Sequence, residues 1–182
     1  NLVLAGPPRD GSDPMTGLTE AERAHLATTA ANERTETGYY AIQSTKPQTL
    51  GHALADSPVG LASWIVEKFR AWSDCGGDVE RRFTKDPLLA NITLYWVTNT
   101  IASSCRLYAE QARMGSFRPS AVPTGAAIFP AEMIRAPRAW AERRYPNLVH
   151  WSEMPRGGHF AAMEEPELLA RDVRAFFRAY RR

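Results

Sequence analysis

Only two cysteines, Cys75 and Cys105, occur in this chain of 182 residues. Two thiols make neither a disulfide framework nor a metal site, and they read as isolated reduced thiols. No apolar run approaches the ~20 residues that a membrane-spanning helix needs. Charge of one sign is not in excess either. Twenty-two basic and 20 acidic residues leave a net +2, and no basic tract stands out. Electrostatics therefore gives no case for nucleic acid. Internal repeats and low-complexity tracts are missing. No signal-peptide pattern is read in the chain's first residues, and the first residue given is Asn1. The expectation is a processed chain, a truncated one or a fragment. What remains is ordinary: 44% hydrophobic, 10% aromatic and 23% charged residues. That composition fits a packed domain, and the length fits one domain or part of a larger one.

Residues 1–18 carry turn signals: Gly6-Pro7-Pro8, Asp10-Gly11 and Asp13-Pro14. Thr19-Glu20-Ala21-Glu22 is a capping box and predicts a helix to about Thr35. A second helix is predicted over 46–56, with Pro47 in its first turn. Asp56-Ser57-Pro58 opens a third, whose Leu61, Trp64, Ile65, Phe69 and Trp72 share one helical face. A polar loop around Gly76-Gly77 follows. Residues 87–113 read as helix again, with Leu88, Leu89, Ile92, Tyr95, Trp96, Thr100 and Ile101 turned inward.

The character changes near Arg118. Pro119, Pro123 and Gly125 bracket Ala126-Ala127-Ile128-Phe129, a short apolar run that reads as a buried strand. A short helix over 136–144 and a second strand, Leu148-Val149-His150-Trp151, come next. Glu164-Glu165-Pro166-Glu167 opens a last helix, acidic at its positive end and basic at its other end, at Arg178, Arg181 and Arg182. Its Leu168, Leu169, Val173, Phe176, Phe177 and Tyr180 fall on one stripe. The fold class is α/β: a helical block, then strand, helix, strand, helix, which implies a parallel sheet under covering helices. Two strands do not complete such a sheet. More strands are expected from a missing N-terminal part or from another chain. The expected division is a helical region, 1–117, followed by a strand-and-helix region, 118–182, which the resemblance described below makes the lid with its return helix and the C-terminal part of the core.

The segment richest in chemistry is Pro155-Arg156-Gly157-Gly158-His159-Phe160. Glycines before a histidine, in a loop between strand and helix, let an imidazole project over the carboxyl edge of a sheet. A general base also needs a carboxylate to fix its tautomer. Glu132 is the candidate, just past the first strand. On spacing alone it is equally a surface glutamate capping the helix after it.

Longer motifs then line up. Val122-Pro123-Thr124-Gly125, Phe129-Pro130-Ala131-Glu132 and the run from Arg156 through Gly157-Gly158-His159-Phe160 to Glu167 resemble the C-terminal half of microsomal-type epoxide hydrolases, enzymes of the α/β-hydrolase fold. Glu36-Thr37-Gly38-Tyr39, Gln43-Ser44-Thr45-Lys46-Pro47-Gln48-Thr49, Asp56-Ser57-Pro58-Val59-Gly60-Leu61 and Ser103-Ser104-Cys105-Arg106-Leu107-Tyr108 resemble the lid of the same family. The resemblance implies an α/β-hydrolase fold in its C-terminal portion: a mostly helical lid, the last two parallel strands and their covering helices. It implies four catalytic residues. Tyr39 and Tyr108 would hydrogen-bond the epoxide oxygen, His159 would activate water, and Glu132 would orient His159. Tyr40, beside Tyr39, competes for the first tyrosine role. No cofactor and no metal is implied.

The family's nucleophile, an aspartate in a Gly-Gly-Asp-x-Gly turn ahead of the lid, has no counterpart here. Gly76-Gly77-Asp78-Val79-Glu80 lacks the final glycine, follows an amphipathic helix and comes after Tyr39. Asp78 therefore reads as a lid-loop residue. No Gly-x-Ser-x-Gly occurs either. The expected reaction is conversion of an apolar epoxide to a vicinal diol through an aspartyl ester, with the missing N-terminal half as partner and no nucleic acid or membrane partner for this segment. The chain alone is expected to be inactive. Another α/β-hydrolase chemistry (dehalogenation or ester cleavage) and a non-catalytic ligand-binding module stay open. The expected location is cytoplasmic, the alternative being membrane association through an absent N-terminal anchor.

Overall fold

The computed structural model describes residues 3–114 and 119–181. The expected boundary at 117/118 and Arg182 lie outside them. In chain order the helices are α1 (Glu20–Glu36), α2 (Gly38–Thr45), α3 (Pro47–Asp56), α4 (Pro58–Trp72), α5 (Lys85–Thr98), α6 (Ile101–Arg113), α7 (Arg138–Arg144), α8 (Ala161–Glu164) and α9 (Pro166–Phe177). Strands β1 (Thr124–Ile128) and β2 (Leu148–Glu153) flank α7, and single 3-10 turns cover Val79–Arg81 and Arg178–Tyr180. The chain divides into two compact units, Asn1–Glu33 with Arg118–Arg182, and Arg34–Phe117. Residues 1–33, grouped by sequence with the lid, cluster with 118–182.

In the first unit α1 starts at the capping box. The Thr19 N–H donates to Glu22 Oε2 at 2.9 Å, and the Glu22 N–H donates back to Thr19 Oγ1 at 3.2 Å. Each bond satisfies a backbone donor that the first turn cannot. Strands β1 and β2 run parallel, with Ala126 opposite Trp151 and Ile128 opposite Glu153. β1 is apolar because it is covered: Ala126, Ala127, Ile128 and the following Phe129 are all buried. Phe129 is fully buried, packed with Ala127 and Ala161 and edged by Met154 and Leu169. Burying such a ring is worth roughly 1.5–3 kcal/mol.

The last helix departs from expectation. No residue of α9 is buried, and Val173 and Phe177 on its apolar stripe are exposed. Leu169 reaches the Phe129 cluster and Phe176 lies against Gly125. A two-stranded sheet is too narrow to cover the whole stripe of a 12-residue helix.

The second unit is helical. Leu54, Leu61, Ile92, Ile101 and Cys105 form one buried cluster in it, with Leu50, Trp64, Ile65 and Tyr95 packed around them. The 87–113 block is two helices. Asn99 adopts a left-handed conformation (φ 51°) that ends α5, and Thr100 begins the next turn. On α5 the inward face is narrower than expected: Leu88 and Ile92 are buried, whereas Leu89 and Trp96 are exposed. Helices α3 and α6 touch through small residues. A Cβ on Gly51 would stand 2.9 Å from Ala102 Cα, so only glycine permits this approach. No helix among the described residues is long and apolar enough to cross a membrane.

Candidate active site

The first pair sits in the unit that holds the sheet. Glu132 follows β1 through Phe129-Pro130-Ala131, and its N–H closes a turn onto the Phe129 carbonyl at 3.2 Å. His159 lies in the loop after β2. The two loops are stitched together: the Ala131 N–H donates to the Gly157 carbonyl at 3.0 Å, and Ala131 and Gly158 form a parallel bridge. That stitch brings Glu132 Oε1 to 2.8 Å from His159 Nδ1. The Glu132 side chain is only 2% exposed, whereas that of His159 is 24% exposed. The same oxygen accepts the Met133 N–H at 2.9 Å. A carboxylate only accepts, so the ring proton sits on Nδ1, and in the neutral imidazole Nε2 carries the basic lone pair. Glu132 is thus a buried partner of the imidazole and not a surface cap.

Gly157 makes this loop possible. Its φ is +100°, and an added Cβ would stand 2.8 Å from the Phe129 ring and 3.0 Å from Glu165 Cγ. Conformation and space both demand glycine there. On the far side, Arg156 Nε donates to buried Glu165 at 2.7 Å.

The second pair sits in the helical unit. Tyr39 is on α2 and Tyr108 on α6, with ring centroids 5.7 Å apart in an edge-to-face arrangement. Trp72 covers Tyr39 at 5.2 Å, and the Lys68 ammonium lies 5.4 Å from the Tyr39 ring centre. Burial first, then the neighbouring phenols Tyr108 and Tyr40, and a hydrogen bond with Tyr108, push the Tyr39 hydroxyl up to about 12. Burial also raises Tyr108, against a hydrogen bond with Gln43 that pulls it back. Both hydroxyls therefore keep their protons at neutral pH, as a proton donor must. Tyr40 is exposed, its ring 5.9 Å from that of Tyr108.

Sequence reasoning missed Gln43. It is buried and accepts the Trp64 indole N–H at 3.2 Å, with the Cys105 thiol at 3.8 Å. A glutamine beside two tyrosines on a short helix gave no periodic signal. Helix α2 itself was not predicted, since it is 8 residues long, begins at Gly38 and contains β-branched residues. Asp78 caps the 3-10 turn by accepting the Glu80 N–H at 3.1 Å. His150 on β2 is bonded to Asp172 of α9 at 2.8 Å and to Ser152 at 2.8 Å, an anchor for the helix. A cavity of about 420 Å³ in the first unit is lined by His25, Arg135, Trp151 and Glu153 among others, and by none of the four candidates. No cluster of metal-ligating side chains occurs among the described residues.

No family model matches the chain. It is 50% identical over 153 residues to epoxide hydrolase 1 of Sus scrofa, a match covering 78% of this chain and 34% of that protein. Among solved structures, it is similar to an epoxide hydrolase of Aspergillus niger, with 30% identity and a TM-score of 0.82 over 98% of this chain and 45% of that one. It is also similar to juvenile hormone epoxide hydrolase from the silkworm Bombyx mori, at 35% identity and a TM-score of 0.80, covering 90% of this chain and 42% of that one. The chain belongs to the epoxide hydrolase family. Its fold is a C-terminal-type segment of the α/β-hydrolase fold. The chain spans little more than a third of the length of the curated relatives it matches, 38% and 34% for two of them. As an epoxide hydrolase segment it contains a histidine–glutamate pair and a tyrosine pair, each assembled within its own unit.

Proposed function

We propose that this chain supplies the proton-donating and water-activating groups of an enzyme that opens apolar epoxides to vicinal diols. In the reading we favour, an aspartate outside the chain attacks an epoxide carbon and the carbon–oxygen bond breaks. The departing oxygen takes a proton from Tyr39 or Tyr108 and becomes an alcohol. His159, oriented by Glu132, then takes a proton from water. The resulting hydroxide attacks the ester carbonyl, the diol leaves as the second alcohol, and the carboxylate is restored. The observation that carries this reading is the tyrosine pair. Halide release or ordinary ester cleavage has no strained ether oxygen to protonate, and two phenols kept protonated by burial suit that need.

The test is a chimera in which this chain replaces the matching segment of Sus scrofa epoxide hydrolase 1. Diol formation from styrene oxide is expected, with loss in His159→Ala and a strong fall in Tyr39→Phe. The 20.3 kDa chain alone is expected to give no diol. Turnover by the chain alone would overturn the external nucleophile and bring Asp78 back into question. A folded chimera that binds styrene oxide without turnover would favour the ligand-binding reading.

A further inference from the structure

We propose that Glu164 is a positioning residue that holds the His159 loop by its backbone. The inference rests on the water-activating role proposed for His159. Glu164 is the last residue of α8 and is buried. Its Oε2 accepts the Gly158 N–H at 3.1 Å, and its Oε1 accepts the Phe160 N–H at 3.0 Å. These are the residues immediately before and after His159. One carboxylate therefore ties down the backbone N–H groups of the residues on either side of the base.

Glu132 and Glu164, both buried, do different things. Glu132 fixes the ring at Nδ1. Glu164 fixes the chain on which the ring is mounted. The second constraint has a reason to exist: Gly157 and Gly158 free the loop to turn, and the same freedom would let His159 drift. Carboxylate-to-amide bonds are charge-assisted, and a carboxylate has two oxygens to span two donors. An apolar side chain of equal length would pack in the same place but bridge nothing. Glu164 also reaches back to the N–H of Phe160, the residue that caps α8, so the bond that steadies the loop also starts the helix.

The experiment compares Glu164→Ala and Glu164→Gln with the parent chimera, measuring ester formation and ester hydrolysis separately in quenched single turnovers. Ester hydrolysis, the step that uses His159, is expected to slow by about 10- to 100-fold in Glu164→Ala, the scale of a small misplacement of a catalytic group. Glu164→Gln, which keeps one acceptor oxygen, should fall between. Ester formation, which does not use His159, should keep the parent rate. A proportional loss in both steps would reduce Glu164 to a purely structural residue and overturn the proposal, as would parent rates in both. If the parent chimera forms no ester at all, the two-step reading has failed. The Glu164 proposal is then decided by NMR of the His159 ring. Its Nδ1–H signal should be sharp in the parent and broadened in Glu164→Ala, with the amide spectrum elsewhere still dispersed. An unchanged ring signal overturns the proposal.

Discussion

Glu132 and His159, 27 residues apart in sequence, meet at 2.8 Å through one carboxylate oxygen. The contact is made by backbone and only finished by side chains. The Ala131 N–H to Gly157 carbonyl bond sets the two loops in register, so the carboxylate and the imidazole each sit one or two residues beyond a strap that is already closed. Because Glu132 is nearly sealed from water, its charge is felt by the imidazole with little screening. A base that must become cationic while it takes a proton from water gains most from such a partner.

Glu132→Gln should therefore spare folding more than chemistry. Either the amide oxygen faces Nδ1 and the stabilising charge is gone, or the amide nitrogen faces it and forces the wrong tautomer. Hydrolysis of the ester should slow by about 100- to 10,000-fold, the range lost when a general base is disabled. In the chimera, intact mass after a short incubation with styrene oxide should show the protein plus substrate. An unmodified protein with undiminished turnover would count against the assignment.

The tyrosine pair predicts a pH effect of definite sign. The Tyr39 proton is held to about 12 in the folded chain, against an ordinary value of 10.0. Between these values the unfolded chain has lost a proton that the folded chain keeps. Stability therefore falls as pH rises through that window, and this group contributes no pH dependence below it. Tyrosinate absorbance should show part of the 6 tyrosines ionising late in the folded chain, and all of them together in denaturant. Tyr108→Phe removes the phenolate neighbour and the hydrogen bond, and should bring Tyr39 back toward its ordinary range. A single transition near ~10 in the native chain would refute the buried pair.

The sequence made the strands and both loops of the histidine–glutamate pair legible, because apolar runs between prolines and glycines have few other readings. The capping box at Thr19 and Glu22 appears bond for bond. Less legible was whatever depends on context. The long helical block hides a break at Asn99, because asparagine in a left-handed cap looks like any polar helix residue. Helix α2 lacks the length for a period to show. The α9 stripe predicts burial, but burial needs a surface to receive it: Leu169 and Phe176 are packed, whereas Val173 and Phe177 stay exposed. The Glu132–His159 contact was open on spacing alone, since the strap that creates it is made of backbone atoms that no residue type encodes.

Gly157→Ala should be among the most damaging single-methyl changes. The new Cβ meets a ring fully buried in the core at 2.8 Å, and the backbone at φ +100° is one that alanine rarely adopts. Strain of this kind costs on the order of 1–3 kcal/mol before any repacking. A urea titration should show a lower midpoint at similar slope. A midpoint unchanged from the parent chain would mean that the loop relaxes freely.

Gln43 carries the last prediction. Its amide stands at a point where three helices meet: it is on α2, it accepts from Trp64 of α4, and it is hydrogen-bonded to Tyr108 of α6. Gln43→Met keeps the volume and removes both polar functions, so the loss should report hydrogen bonding and not a cavity. The indole N–H would be left without its acceptor in a partly buried place, at a cost of about 1–3 kcal/mol. Tyr108 would lose the bond that pulls its proton affinity down, so it should ionise at higher pH than in the parent chain. Thermal denaturation reads the first effect and tyrosinate absorbance the second. Gln43→Glu separates them, since a carboxylate still accepts from Trp64 but cannot donate to the Tyr108 oxygen. If Gln43→Met lowers stability while the Tyr108 transition stays in place, the glutamine is a helix tie and not a regulator of the phenol.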